Sequence, residues 1–113
     1  MQDKKLINLI VRAAEEKKAL DIKVLDIRKS SGISDFMIIC SAESEPQLRA
    51  IEREIEKDLR YNKVKGFRWQ GELKSGWLVL DLGSVVIHVM LQVERDYFKL
   101  EELWEKDAII YHY

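Results

Sequence analysis

The sequence predicts an α/β fold, borderline α+β, in which helices pack on a mixed sheet of about five strands. Three observations predict it. Segments with apolar residues at helical spacing alternate with short β-branched runs. The run 36–40 is apolar without polar alternation, which is typical of a central strand covered on both faces. Two β-rich runs flank the pair Gly83-Ser84, a hairpin signature. The 113 residues suit a single domain over 1–113, with 105–113 as a C-terminal tail.

The N-terminal half begins with a predicted helix over residues 3–19, in which apolar residues recur at helical spacing and Asp3 is a suitable N-cap. Residues 22–27 are short and β-branched, which favours a strand. Residues 30–34 form a turn-rich connection to the strand 36–40.

The second helix carries the clearest start signal. Ser44 is a predicted cap, Gln47 follows three residues later, and Pro46 lies in the first turn, where its missing N–H costs nothing. A single apolar stripe then faces the sheet, with charged residues elsewhere and an expected end near Asn62. The stripe consists of Leu48, Ile51, Ile55 and Leu59.

The C-terminal half reads as strand, hairpin and helix. A weaker strand is predicted over 64–71 and a polar loop over 71–76. The hairpin pairs 77–82 with 85–91. The last helix is expected from about Asp96 to Trp104, and residues 108–113 form an apolar and aromatic tail.

The hairpin has two predicted faces, because directly opposed residues share a face. A two-residue turn pairs Leu82 with Val85, Asp81 with Val86, Val79 with His88 and Trp77 with Met90. The aliphatic face, predicted to be core, holds Leu78, Leu80, Leu82, Val85, Ile87 and Val89. The mixed face is either a second core layer or a partner-binding surface. It holds Trp77, Val79, Asp81, Val86, His88 and Met90.

Composition excludes several classes of protein. Ordinary apolar content and a net charge of −1 exclude intrinsic disorder, and one cysteine excludes a disulfide scaffold. No apolar run approaches the ~20 residues that span a bilayer, so a cytoplasmic protein with no membrane partner is expected. Residues 1–40 carry +2 and residues 41–76 carry +1, so no region shows the clustered basic excess of a nucleic-acid binder, and sequence-specific nucleic-acid binding is not expected. Residues 94–107 are mildly acidic, with three basic residues against six acidic ones.

Catalytic candidates are few. Cys40 lies in the predicted buried strand, which favours an inert thiol. His88 lies diagonally from Asp81, where the two could orient a base or, more often, form a hydrogen bond that holds the hairpin. No ligand set with zinc spacing and no glycine-rich phosphate loop occurs, so no catalytic residue, metal or cofactor is predicted.

One long motif resembles the signature of the ribosomal silencing factor family, RsfS or Iojap. Its C-terminal part comprises Ser75-Gly76-Trp77, Asp81, Gly83, Val85 to His88, Arg95, Tyr97-Phe98, Leu100-Glu101 and Leu103-Trp104. Its N-terminal part comprises Lys18-Ala19, Asp21-Ile22, Leu25-Asp26, Ser34-Asp35-Phe36 and Ile38-Ile39. The resemblance covers about residues 5–105. Ser84 stands where the family usually has Asp, and Gln70 where Glu usually precedes the glycine.

The resemblance implies a function that composition does not. Members of this family are small non-enzymatic factors that bind the large ribosomal subunit through its universal protein number fourteen. They block association with the small subunit and so repress translation under nutrient limitation. Their fold resembles nucleotidyltransferases without the catalytic acids.

The partner-binding surface is expected on the hairpin and its flanks. Trp77 is a candidate anchor, because interface energy concentrates in large aromatic residues. Asp81 and Ser84 offer polar contacts at the rim, and Leu82 could enter a partner pocket. The alternative for Trp77 and Leu82 is a place in the core. Four further motif residues are expected to be structural: His88, Arg95, Tyr97 and Trp104.

Two alternatives remain open at this point. One is a nucleotidyltransferase-like phosphoryl-transfer enzyme that uses Asp26, Asp35 and Asp81 with magnesium, although neither strand acid has a second acid two residues later. The other is a self-associating interaction module, with the mixed face forming a homodimer when the protein is free.

Overall fold

The computed structural model describes residues 2–29, 34–103 and 109–112. Its elements in chain order are α1 (Asp3–Glu16), β1 (Leu20–Asp26), β2 (Phe36–Ala42), α2 (Glu45–Tyr61), β3 (Arg68–Glu72), β4 (Trp77–Asp81), β5 (Val85–Leu91), α3 (Gln92–Phe98) and β6 (Ile109–His112). Single 3-10 turns occupy Leu73–Ser75 and Leu100–Leu103.

The strands form one mixed sheet in the order β3-β4-β5-β2-β1-β6. β2 and β5 run parallel, and the other neighbours are antiparallel. The predicted α/β fold with a mixed sheet is therefore confirmed. The five predicted strands are all present, and part of the tail adds a sixth, because residues 109–112 pair with β1.

The main core lies between the sheet and the two long helices. α1 and α2 bury their apolar stripes against one face of the sheet, where Leu78, Leu80 and Ile87 of the hairpin are at most 2% exposed. The aliphatic face of the hairpin is thus core, as predicted, with Leu82 partly buried at its end.

A smaller cluster covers part of the opposite face. Leu25, Ile27, Met37, Ile39 and Met90 form it, and Trp77 and Leu100 pack against it. The mixed face of the hairpin is therefore a second core layer at the end where Met90 lies, and partly open elsewhere.

The helix termini correct two expectations. Gln2, not Asp3, is the N-cap of α1, and no side chain caps that helix. α3 begins at Gln92 and ends at Phe98, because Lys99 adopts a left-handed conformation (φ 49°) that interrupts the predicted helix 96–104. For α2 the prediction is confirmed: the Ser44 hydroxyl accepts a hydrogen bond from the Gln47 backbone N–H at 3.3 Å.

Two glycines shape the segment before the hairpin. Gly71 (φ 92°) faces β4 so closely that an added Cβ would lie 2.2 Å from the Trp77 carbonyl oxygen. Gly76 (φ 71°) ends the 3-10 turn, and an added Cβ would meet Glu94 and Leu91. At both positions, the clash of an added Cβ and the positive φ require glycine.

β3 begins only at Arg68, four residues later than predicted.

Candidate functional site

The hairpin β4–β5 forms in the predicted register. Trp77 opposes Met90, Val79 opposes His88, and Asp81 opposes Val86. The Leu82 N–H donates to the Val85 carbonyl at 3.0 Å and closes the turn at Gly83-Ser84. β4 spans five residues, so the turn end and the end next to α3 lie about 13 Å apart.

The end next to α3 carries an aromatic cluster. The Trp77 indole N–H donates to Nδ1 of His88 at 3.0 Å, and the two rings lie 5.9 Å apart between centroids. The Phe98 ring contacts Trp77 at a tilt of 44°, with 5.1 Å between centroids, and Tyr97 meets Phe98 edge-on at 5.0 Å. The hairpin and α3 thus hold Trp77 from two sides.

His88 is a neutral acceptor in this arrangement. Burial lowers the pKa of its imidazole from 6.5 to about 4, since water no longer stabilises the charged ring. Acceptance at Nδ1 places the single ring proton on Nε2. The predicted hydrogen bond between His88 and Asp81 is wrong: although the two share a face, the longer Trp77 side chain reaches the imidazole.

The turn end is held by its own polar network. An oxygen of the Asp81 carboxylate accepts from the Gly83 N–H at 2.8 Å. The Ser34 hydroxyl donates to the Gly83 carbonyl at 3.0 Å, and the Ser84 carbonyl accepts from the backbone of Asp35 and Phe36. The Ser84 hydroxyl donates to the Asp3 carboxylate at 2.8 Å, which ties the turn to the start of α1.

A surface groove of about 490 Å³ adjoins the turn. It is lined by Gly66, Phe67, Arg68, Asp81, Leu82 and Gly83. Leu82 packs against the main core with one side and lines this groove with the other. Leu82 lies beside the turn, as predicted, and the segment 66–68 forms the opposite wall, which no local pattern in the sequence indicates.

Three exposed side chains on α3 extend the aromatic cluster. Phe98 is 52% exposed, Val93 75% and Tyr97 79%, and Val93 and Tyr97 are four residues apart on one side of the helix. We call Trp77, Val93, Tyr97 and Phe98 the aromatic patch. Tyr97, expected to be structural, is thus exposed, and Val93 and Phe98, for which the sequence predicts no role, lie beside it. The signal in the sequence is the four-residue spacing of Val93 and Tyr97, which places two apolar side chains on one side of an otherwise charged helix.

Arg95 joins α3 to the sheet. It is 3% exposed, and its Nη1 donates to the Asp21 carbonyl at 2.6 Å and to the Ser41 hydroxyl at 3.2 Å. Its Nη2 lies 3.3 Å from a carboxylate oxygen of Asp21. The Ser41 hydroxyl in turn donates to the side-chain oxygen of Gln92 at 2.6 Å. This network joins α3 to β1 and β2, so it sets where Tyr97 and Phe98 lie.

The other residues considered for catalysis or metal binding do not form a common site. Cys40 is fully buried, which raises the pKa of its thiol to about 12. Asp26 is paired with Arg28, whose hydrogen bonds lower the pKa of the carboxyl. Over residues 2–29, 34–103 and 109–112, no group of three or more His, Cys, Asp or Glu side chains could hold a metal ion. Trp104 lies outside the described residues.

Comparison with known proteins identifies the family. The sequence profile of the family described as "Ribosomal silencing factor during starvation" matches residues 1–111. The chain belongs to the ribosomal silencing factor family. It is 38% identical to Ribosomal silencing factor RsfS of Halalkalibacterium halodurans, over 92% of this chain and 89% of that one. It is 36% identical to the RsfS of Bacillus subtilis, over 92% and 88%.

A solved structure agrees with the sequence comparison. A crystal structure of a protein from Chromobacterium violaceum superposes with a TM-score of 0.87 at 31% identity, covering 93% of this chain and 88% of that one. The resemblance drawn from the sequence is thereby confirmed. As a ribosomal silencing factor, the chain belongs among ribosome-associated regulators of translation. In the part of the chain that the structure describes, no helix is long and apolar enough to cross a membrane.

Proposed function

We propose that this ribosomal silencing factor binds the large ribosomal subunit through universal protein number fourteen and blocks association with the small subunit. Occupying that surface lowers translation under nutrient limitation. The action requires a docked domain and no chemical step, and the protein would work in the cytoplasm. Family membership supports a ribosomal partner. The aromatic patch is the observation that supports a docking surface on the hairpin and α3.

The aromatic patch has the properties of a protein-binding surface. Interface energy concentrates in large aromatic anchors, and soluble monomers rarely leave such residues clustered in the open. Trp77 is partly buried against Met90, hydrogen-bonded to His88 and in contact with the Phe98 ring, so it is held in place before a partner arrives. A rigid anchor loses little side-chain entropy on binding, which favours affinity.

The turn end supplies the second part of the proposed surface. Leu82 and Asp81 line the groove beside the turn, so a partner that covers the whole hairpin would meet both ends. Ser84 is the weakest of the predicted contacts, because its hydroxyl is already bonded to Asp3. We therefore propose Trp77 and Phe98 as the centre of the interface and Asp81, Leu82 and Ser84 as its rim.

Co-sedimentation with isolated subunits tests the proposal. We expect the protein to pellet with large subunits, not with small ones, and to bind purified protein fourteen directly. Phe98→Ala should weaken that binding by more than 1.4 kcal/mol, or tenfold, because it removes a central anchor. Tyr61→Ala is the matched control, since Tyr61 is 85% exposed on α2, outside the proposed surface. Equal pelleting with both subunits would contradict the proposal.

The free protein has the same exposed apolar side chains and would cover them by pairing with a second copy. The exposed Tyr97 and Phe98 favour such a homodimer, formed through the patch and dissociating on docking. Sedimentation velocity over a hundredfold range of concentration should then show a dimer that Phe98→Ala weakens. A dimer that persists unchanged in Phe98→Ala would place the contact elsewhere.

A further inference from the structure

The end of α2 and the segment after it form a basic stretch inside an acidic protein. Residues 57–68 contain five basic side chains and one acidic one, a net charge of +4, so the remaining 101 residues carry −5. The longer region 41–76 carries only +1, because residues 41–56 hold five acidic side chains against two basic ones.

The structure separates the five basic residues into two groups. Lys57 is paired with Glu54 at 3.2 Å, and Arg60 is paired with Glu56 at 2.9 Å. Lys63, Lys65 and Arg68 are exposed, and they form no ion pair with the described residues. We call these three the basic cluster. They remain available to an external anion.

The backbone of the cluster is fixed. At the end of α2, the Val64 N–H donates to the Leu59 carbonyl at 2.9 Å and the Lys63 N–H donates to the Arg60 carbonyl at 3.0 Å. The left-handed residue at such a helix end is usually glycine, and here it is Lys63 (φ 59°), as it is Lys18 (φ 60°) at the end of α1.

The cluster adjoins the turn end of the hairpin. Arg68 opposes Asp81 across the β3–β4 ladder, and both line the groove beside Leu82. One oxygen of the Asp81 carboxylate accepts from the Gly83 N–H, and Asp81 forms no ion pair with Arg68. At the opposite end of the hairpin, α3 carries the exposed Asp96 and is followed by the exposed Lys99, so that end has no basic excess. A partner covering the hairpin would therefore meet a basic flank at the turn end only.

We propose that the basic cluster contacts the phosphate backbone of the large subunit's RNA while the hairpin contacts ribosomal protein. This inference rests on the proposed function. Phosphate is the anion that a ribosomal surface presents in greatest density, and exposed lysine and arginine side chains neutralise it without reading sequence. The contact would add affinity and orientation, and specificity would stay with the hairpin.

The test compares a neutralised cluster with a matched control. The triple variant Lys63→Gln, Lys65→Gln and Arg68→Gln removes three charges beside the turn. The control Lys18→Gln, Arg49→Gln and Arg53→Gln removes three exposed charges from the start of α2 and the turn beside it, about 15 Å or more away. Affinity for intact large subunits is measured from 50 to 200 mM salt, and affinity for isolated protein fourteen is measured in parallel.

Two to three phosphate contacts predict that the wild type loses about 10- to 40-fold more affinity for large subunits over that range than the cluster variant does. The control should follow the wild type, and all three should bind isolated protein fourteen equally. An unchanged salt dependence in the cluster variant would overturn the inference while leaving ribosome binding intact. Weaker binding of that variant to isolated protein fourteen would assign the cluster to a protein contact. If the wild type fails to bind large subunits, the proposed function itself fails.

Discussion

The burial of His88 should make the stability of the protein depend on pH in a defined direction. Its pKa is about 4 in the folded state and 6.5 when unfolded, so the unfolded chain takes up a proton first as pH falls. The stabilisation of the neutral ring is complete above pH 6.5 and is lost as pH falls towards 4. Between pH 8 and pH 5, this one group should lower the free energy of unfolding by about 2 kcal/mol.

The protonation also acts on the candidate interface. A proton on Nδ1 of His88 would break the hydrogen bond from the Trp77 indole, because the same atom accepts it. At the pH of a cell the ring stays neutral. We therefore expect Trp77 to be held in the same orientation between pH 6 and 8, and binding to large subunits to change little over that range.

The assay compares thermal melting of the wild type and His88→Gln at pH 8 and pH 5. Gln does not titrate but can accept the hydrogen bond from Trp77, so the two proteins differ in one titratable group only. The wild type should lose about 8 °C more than the variant on acidification, as ~2 kcal/mol does in a domain of this size. Equal losses would refute the assignment of a buried neutral His88.

Three further changes probe the fold around the site, each read by chemical denaturation. Lys18→Gly should stabilise the protein by about 0.5–1 kcal/mol, because Lys18 is left-handed at the end of α1 (φ 60°), whereas Lys17→Gly, at φ −99°, should not. Ser84→Asp should lower the free energy of unfolding by about 1–2 kcal/mol, because it places a second carboxylate beside Asp3. Adding Asp3→Asn to that variant should recover part of the loss, and no recovery would contradict the contact. Arg95→Ala should cost about 3 kcal/mol, because it leaves buried backbone and hydroxyl groups unsatisfied; a loss under 1 kcal/mol would mean that the network contributes little.

Local signals predicted the elements that local physics determines. The Ser44 cap and the apolar stripe predicted α2, because both depend on residues within a few positions of one another. The period-2 pattern around Gly83-Ser84 predicted the register of the hairpin, because a two-residue turn leaves one pairing. From that register, the aliphatic and mixed faces followed.

Contacts between distant segments could not be predicted in this way. Residues 109–112 are rich in strand-forming types, but nothing in them indicates that they pair with β1, more than 80 positions earlier. The Ser84 and Asp3 side chains are 81 positions apart, and nothing in either segment indicates the other. The partner of His88 depended on side-chain reach, which face assignment alone does not give. The aromatic patch depends on where α3 ends. The helix stops at Phe98, before the left-handed Lys99, and the Phe98 ring contacts Trp77.

The subunit-joining reaction tests the central claim most directly. Large subunits are preincubated with wild type, Phe98→Ala or Tyr61→Ala, small subunits are added, and joined ribosomes are measured by light scattering. We predict that the wild type and Tyr61→Ala lower the yield of joined ribosomes, and that Phe98→Ala, although folded, does so only at tenfold or higher concentration. Undiminished joining with saturating wild type, or equal inhibition by Phe98→Ala, would contradict an account in which the aromatic patch docks on the large subunit and excludes the small one.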